Sequence, residues 1–394
     1  MKEGVCVIKR IILIAVNALL LIAFIVCISL SASLVTPLRS QQAAAAWAGQ
    51  SGERFSQLSA FFPESHSFDS NSIRSLYTSI DSALLSASLE STQYRTLYTD
   101  AWSGTINVTI YDERSPVSAK AIAVGGDYFL FHPLYLRSGG YISPNDVMKD
   151  RVVLDEELAW RLFGSADLTG FEIMIEDRPF TIAGVISREK DFASSKAYTD
   201  GAGLFMSFDA AMILSDNEVS INCYEIVMPD PISGFALNAL TEAISDDSVH
   251  IVENSTRFSL SNSFSAIRSY GEQSMRMDTI GYPYWENAAR YTENLLALLL
   301  ALALIFIAFP LVCGVVYLVK VIRFLIKRGK RTAKKAVDKH DKRMYDKYML
   351  EHGQKQVDDE ENYSVDDILA QAQEPVDDEE NYSVAEIIRE VQES

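Results

Sequence analysis

Side chains able to do chemistry are scattered along this chain. A zinc centre needs three or four imidazole, thiolate or carboxylate ligands converging at short spacings. The histidines, His66, His132, His250, His340 and His352, form no HExxH segment and join no cysteine cluster. His132, between Phe131 and Pro133, reads as a turn or core histidine. Asp155, Glu156 and Glu157 are three consecutive carboxylates, but they stand where an apolar periodic segment begins, so capping explains them better than acid catalysis. No GxSxG elbow, dinucleotide glycine motif or GxxxxGK[ST] loop occurs. The chain is therefore expected to be no enzyme and to carry no metal or cofactor.

A different chemistry, that of helix docking, is written in residues 357–394. Two 19-residue units stand there, VDDEENYSVDDILAQAQEP from Val357 and VDDEENYSVAEIIREVQES from Val376. Ser364 can cap a helix with Asp367 at its third position, and Ser383 pairs likewise with Glu386. Tyr363 and Ile368, then Tyr382 and Ile387, occupy the positions of a hydrophobic staple. Val365, Ile368 and Leu369 make one apolar face, matched by Val384, Ile387, Ile388 and Val391. Helices this short are unstable alone. Either the pair folds on docking into a cytoplasmic partner's groove, or the segment is a solubilising disordered acidic tail. The recurrence of caps and apolar positions together favours docking.

Two runs set the frame for these segments. Ile11–Leu30 and Asn294–Val319 carry no charged residue, and each can cross about 30 Å of hydrocarbon at about 1.5 Å per residue. Ser31-Ala32-Ser33 offers small residues for signal cleavage, but the first run exceeds the roughly 7–15 apolar residues of a signal peptide, so a retained anchor is expected. Lys9 and Arg10 precede the first run, and Lys320, Arg323, Lys327, Arg328, Lys330 and Arg331 follow the second. Both flanks therefore read as cytoplasmic. The expected layout is a cytoplasmic start (1–10), a first span (11–32), an extracytoplasmic domain (33–293), a second span (294–319), a basic segment (320–355) and an acidic tail (356–394). This is a two-pass cell-membrane protein with both termini inside. Asn17 and Pro310 are the polar and helix-bending positions within the spans, read as membrane-helix packing sites.

Charge is sorted by region. Residues 33–293 hold 34 acids against 18 bases, and 320–349 hold 12 bases against 3 acids. The basic stretch Lys320–Lys347 suits anionic membrane lipid as well as topology. No basic patch with interleaved aromatics is present, which argues against nucleic acid. Cys223 is the single cysteine between the spans, so it is either a buried core thiol or paired with another chain.

The central region reads as α+β. Residues 37–100 are Ala-, Ser-, Leu- and Gln-rich, with Ile73, Tyr77, Ile80, Leu84 and Leu85 at helical spacing; helices broken near Phe62-Pro63 are predicted. Thr105–Tyr111, Ala119–Val124, Val152–Leu154, Phe171–Ile175, Pro179–Ile186, Leu204–Phe208, Cys223–Met228 and His250–Val252 read as strands. Asp155 should cap a helix ended by Gly164, Glu176-Asp177-Arg178 should turn a hairpin, and Pro231–Ile244 should be helical.

GGDYF (Gly125–Phe129), PLYLRSGGYIS (Pro133–Ser143), VVLDEELAWRLFGSADLTG (Val152–Gly170) and FEIMIEDRPFTIAGVI (Phe171–Ile186) together resemble the MacB-like periplasmic core domain, the extracytoplasmic module of FtsX-like ABC permeases. GYPYWENAARYTE (Gly281–Glu293) is similar to the stalk that enters the following span in that family; Tyr282, Tyr284, Trp285 and Tyr291 suit an interfacial aromatic belt. The resemblance implies a membrane subunit of an export or lipoprotein-handling system, partnered by a separate ABC ATPase and additional permease subunits. Such permeases have two further membrane helices, which this sequence lacks. The alternative is a freestanding membrane adaptor or sensor with a partner-docking tail.

Overall fold

The computed structural model describes residues 2–63, 66, 68–90, 96–111, 116–198, 203–216, 218–270 and 281–359. The chain divides into two units, residues 1–311 and 312–394. In the first, two membrane-length apolar helices, α1 (Lys2–Val35) and the outer part of a helix beginning at Tyr284, bracket an α+β domain. The protein is thus two-pass, with its core domain extracytoplasmic.

In chain order after α1 come a 3-10 turn (Arg39–Gln41), α2 (Ala43–Ala48), β1 (Phe55–Phe61), α3 (Ser70–Ser86), β2 (Thr99–Tyr111), β3 (Pro116–Gly126), α4 (Tyr128–Phe131) and β4 (Tyr135–Gly139). Then follow β5 (Arg151–Asp155), α5 (Glu156–Phe163), β6 (Glu172–Ile175), β7 (Arg178–Ser187), α6 (Phe192–Ala197), β8 (Gly203–Ser207) and α7 (Phe208–Leu214). The remainder is β9 (Cys223–Pro229), α8 (Phe235–Ile244), β10 (His250–Glu253), α9 (Leu260–Arg268) and α10 (Tyr284–Asp359).

The ten strands form one sheet in the order β10-β1-β9-β2-β3-β8-β5-β7-β4, with β6 pairing both β7 and β2. Strands β2, β3, β8, β5, β7 and β6 therefore make a closed circuit of pairings. Only β3–β8 and β5–β7 are parallel among these ladders. Alternation along each strand sends residues to two cores. Leu58 and Ala60 of β1, Leu204 and Met206 of β8, and Tyr224, Ile226 and Met228 of β9 face the larger core, with α3, α5, α7 and α8. Phe61, Phe205, Cys223 and Val227 face a second core, with α2, α4 and Trp285 at the head of α10. Gln57, Ser59 and Glu225 share the parity of this second face and are buried.

The motif glycines have local causes. Gly125 lies opposite Trp102 in the β2–β3 ladder, and a Cβ there would stand 2.1 Å from the indole. Gly164 ends α5 in the left-handed region at φ 66°. Glu176 and Asp177 both take positive φ, the geometry a two-residue hairpin turn requires. Asp155 caps α5, accepting from Leu158 N at 2.7 Å, and Leu158, Ala159 and Leu162 are the buried stripe.

The region 37–100 departs from its prediction. Ile73, Leu76, Ile80 and Leu84 are the buried face of α3, but Leu85 is exposed. Phe55–Phe61, expected helical, is a strand buried along its whole length. Its Ser and Gln side chains hid the period of two, because they are buried through hydrogen bonds rather than by apolar character. The strand containing Thr105–Tyr111 also starts earlier, at Thr99, extended by pairing with β9. α10 runs through Asp359, so the first three residues of the tail's opening unit are helical; residues 360–394 lie outside the described residues.

Asp155 also pairs with Arg188 at 2.5 Å and accepts from Gly203 N. Asp155→Ala removes the cap on buried Leu158 N and the acceptor of the part-buried Gly203 N, so it is expected to cost about 1–3 kcal/mol. Asp155→Asn, which keeps an acceptor, should cost less. Thermal unfolding of the detergent-solubilised protein followed by tryptophan fluorescence checks the order; equal melting temperatures for wild type and the alanine variant would refute the capping role.

Candidate functional site at the junction of sheet and membrane helices

The second sheet face meets the first turns of α10, and their contact is polar at its heart. Glu286, Arg290 and Glu293 fall at i, i+4 and i+7 on α10 and so share one face. Arg257, in the turn between β10 and α9, enters between the two carboxylates. Its Nη1 and Nη2 donate to Glu286 at 2.6 and 2.9 Å, and its Nε and Nη2 donate to Glu293 at 2.8 and 3.2 Å. Arg290 Nε adds a bond to Glu286 at 2.8 Å. Two cations thus balance two anions. The Arg257 and Glu286 side chains are only 4% and 1% exposed. Burial alone would raise the Glu286 carboxyl, but Arg257 and then Arg290 outweigh it and hold it below the usual range. Arg290 also donates to Nδ1 of His250 at 3.2 Å, and burial, then the Arg290 charge, holds that imidazole below its usual value.

A second set of bonds runs through the sheet. Gln57 Nε2 donates to Ser40 O at 2.7 Å and its Oε1 accepts from Ala43 N at 2.8 Å, which ties β1 to the turn and helix following the first span. Asn254 N donates to Gln57 O at 2.8 Å, and its Nδ2 to Ser59 Oγ at 2.7 Å. Ser59 Oγ in turn donates to Glu225 Oε1 at 3.0 Å, and Glu225 Oε2 meets His132 Nε2 at 2.5 Å. The His132 ring then packs on Trp285 with centroids 4.1 Å apart. Linker and sheet are joined by one buried chain of polar contacts, which the His132 ring extends to the stalk by packing on Trp285.

Beside this junction lies a cavity of about 210 Å³. Its walls are aromatic and apolar, including Ile122, Phe205, Tyr198, Tyr284 and Trp285. Lys120, Arg188 and Asp155 are its charged lining residues. Burial raises the Asp155 carboxyl, partly offset by Arg188.

Glu225 and Arg257, missed in the sequence, had a signal. A strand of parity Cys223-Glu225-Val227 that is apolar on both faces must bury its carboxylate, and Glu286, Arg290 and Glu293 repeat at helical spacing. His132 is the core histidine expected of it. Cys223 is a free, buried thiol held well above its usual pKa, chiefly by burial. The aromatic belt is corrected: Trp285 is 4% exposed and Tyr282 and Tyr284 pack with the domain core, because the stalk lies against the sheet. Asn17 Nδ2 donates to Leu13 O at 2.7 Å, and Pro310 lies within α10; neither belongs to the junction. Tyr363, Val365, Ile368, Leu369, Tyr382, Val384, Ile387, Ile388 and Val391 lie outside the described residues. Among the described residues, no group of three His, Cys, Asp or Glu is placed to hold a metal.

Removing one partner of a buried ion pair leaves the other charge stranded. Arg257→Met is therefore expected to destabilise the detergent-solubilised protein by about 3–5 kcal/mol. In a double-mutant cycle, Arg257→Met with Glu286→Gln should cost less than the sum of the two; strict additivity would refute the coupling. Because the Glu286 pKa is depressed, its contribution is fully present above its ordinary value of 4.5 and lost as pH falls through the lower folded value. Glu286→Gln should flatten this acid limb of the melting curve.

The MacB-like periplasmic core domain profile matches residues 23–253. Over 85 residues, 21% of this chain, the sequence is 31% identical to the macrolide export ATP-binding/permease protein MacB of Neisseria gonorrhoeae and to that of Neisseria meningitidis. The aligned segment is 13% of those proteins' length. Among solved structures, the periplasmic region of MacB from Actinobacillus actinomycetemcomitans aligns over 51% of this chain and 89% of its own, at 18% identity and TM-score 0.36. The extracellular domain of the Gram-positive transporter YknZ aligns over 50% and 99%, at 13% identity and TM-score 0.36. With more than half its length matched by the profile, and with that match ending at the strand that precedes the Arg257 turn, this chain belongs to the MacB-like periplasmic core domain family.

Proposed function

We propose that this protein is a non-enzymatic membrane subunit of an ABC-type export or lipoprotein-handling system. Its outer domain contacts protein or substrate, and a separate ATPase supplies the energy. The observation that carries this reading is the Arg257–Glu286–Glu293 cluster. It fastens the family's outer domain to the helix that enters the membrane, so a displacement of α10 moves the sheet with it rather than sliding past it. The buried Gln57 bonds do the same for the segment after α1. Additional permease subunits would complete the membrane part. Asn17 and Pro310 are proposed as positions where these helices pack.

The repeated tail is proposed to recruit a cytoplasmic protein. Two copies of one docking helix raise the effective concentration of the second once the first is bound. The basic segment 320–355 would lie against anionic lipid.

Affinity purification of the intact protein from its native membranes tests the reading. An ABC ATPase and a permease subunit should co-purify. Recovery of neither, under conditions that preserve another transporter complex, favours the freestanding adaptor instead. Deleting Val357–Ser394 should reduce capture of cytoplasmic proteins severalfold while leaving membrane partners in place; unchanged capture would refute the docking role.

A further inference from the structure

The aromatic residues that the stalk withdraws into the domain leave the membrane boundary to other side chains, and the fold places α9 there. Two observations fix its level. At its N-terminal end, Phe258 and Ser259 share a cleft with Val35, the last residue of α1. Along its length, Asn262, Ser263 and Ala266 share another with Glu293 and Leu296, where the apolar run of α10 begins. α9 therefore bridges the outer ends of both spans. Ala266, on its inner side, is buried.

The outer side is apolar. Leu260 and Phe264 stand one turn apart, 71% and 48% exposed, and Ile267 continues the stripe at i+7. Ser261, Ser265 and Arg268 flank it. From a different element, exposed Phe192 of α6 packs on Tyr291 of α10 with ring centroids 5.8 Å apart. Tyr291 lies four residues, about 6 Å along the helix, before Leu295. Exposed apolar groups thus stand on separate elements at the level where the spans leave the hydrocarbon, within the roughly 5–8 Å interfacial layer.

We propose that α9, aided by Phe192, is an outer-leaflet anchor whose Leu260 and Phe264 insert at the boundary of phospholipid headgroups and acyl chains. The occupant is lipid because α9 stands at the outer ends of both apolar spans, and a short amphipathic helix beside a bilayer buries its apolar face there. The anchor holds the base of the domain on the membrane while Arg257, two residues before the cap of α9, ties that base to α10. Motion of α10 is thereby referred to the bilayer surface.

The test uses the full-length protein in phosphatidylcholine–phosphatidylglycerol nanodiscs, with a photoreactive benzophenone amino acid placed singly at positions 260, 264, 85 and 305. Leu85 is 61% exposed on α3, on the sheet face away from α10, and Ile305 is 66% exposed within the second span. Phospholipid adducts, read by mass spectrometry, should form at 260 and 264 severalfold above position 85 and approach those at 305. Adducts at 305 with background yield at 260 and 264 overturn the anchor while leaving the span intact. Cross-links from 260 and 264 to protein instead of lipid also overturn it, by making this a subunit interface. Lipid adducts absent at 305 as well would overturn both anchor and topology. A variant at 264 that fails to melt cooperatively is replaced by one at 192, judged by the same comparison.

Discussion

A guanidinium taken out of water must be neutralised where it lies, and Arg257 admits one arrangement of its surroundings. Its fork is filled by Glu286 and Glu293, two turns apart on α10. The helix must therefore present that one face to the turn after β10, at that height. The rotation and height of the first turns of α10 relative to the sheet follow from the same contact. Apolar packing alone would tolerate a helix rotated or slid by a residue, since the ring of Trp285 could find other neighbours. Charges cannot be reshuffled that way, because every alternative leaves one of them buried and unpaired. The cluster adds little net stability over an apolar contact of the same size. What it specifies is position.

The two sides of the sheet divide the work. The face covered by α3, α5, α7 and α8 is mostly apolar, with Leu58, Leu154, Leu158 and Ile226 buried to nothing, although Tyr224 Oη and Trp102 Nε1 are buried there too. The face toward the stalk mixes Gln57, Ser59, Glu225 and His132 among its apolar residues, and it keeps a cavity under Trp285 and Tyr284. His132 Nδ1, Tyr128 Oη and Trp285 Nε1 lie buried there with no hydrogen-bond partner among the described residues. Such atoms occur on both faces, and what sets the stalk side apart is the open space beside Trp285.

Much of the fold was legible because local signals agreed. From Val152 to Ile186 the strand, the Asp155 cap, the Gly164 stop and the positive-φ turn at Glu176-Asp177 each have a short-range cause, and all four stand as read. The family signature lies in the same stretch for that reason. Legibility failed where burial depends on partners far away in sequence. Phe55–Phe61 carries Ser56, Gln57 and Ser59, which periodicity counts as polar; their partners are Glu253, Ser40 and Glu225, up to 197 residues distant. The pairing of Arg257 with Glu286, 29 residues away, is set by tertiary structure in the same way. The stalk aromatics failed in the opposite sense. Their composition fits a membrane interface, but the sheet competes for the same rings and takes them.

The membrane part shows what the junction adds to the packing of the spans. Along α1 within the span, Ile11, Ile14, Leu19, Ile22 and Ile25 are all more than half exposed, and Cys27 is its one buried side chain among the described residues there. Its less exposed positions, Asn17, Leu20, Phe24, Cys27 and Ser31, recur at three- and four-residue spacing and mark one face turned toward protein. Asn17, on that face, donates to Leu13 O within its own turn. Apolar packing along such a stripe tolerates small shifts. Polar bonds at the outer ends of the spans tolerate fewer, those of Gln57 to Ser40 and Ala43 on one side and those of Arg257 to α10 on the other. The spans keep the domain at the membrane, and the buried polar contacts fix its base to their outer ends.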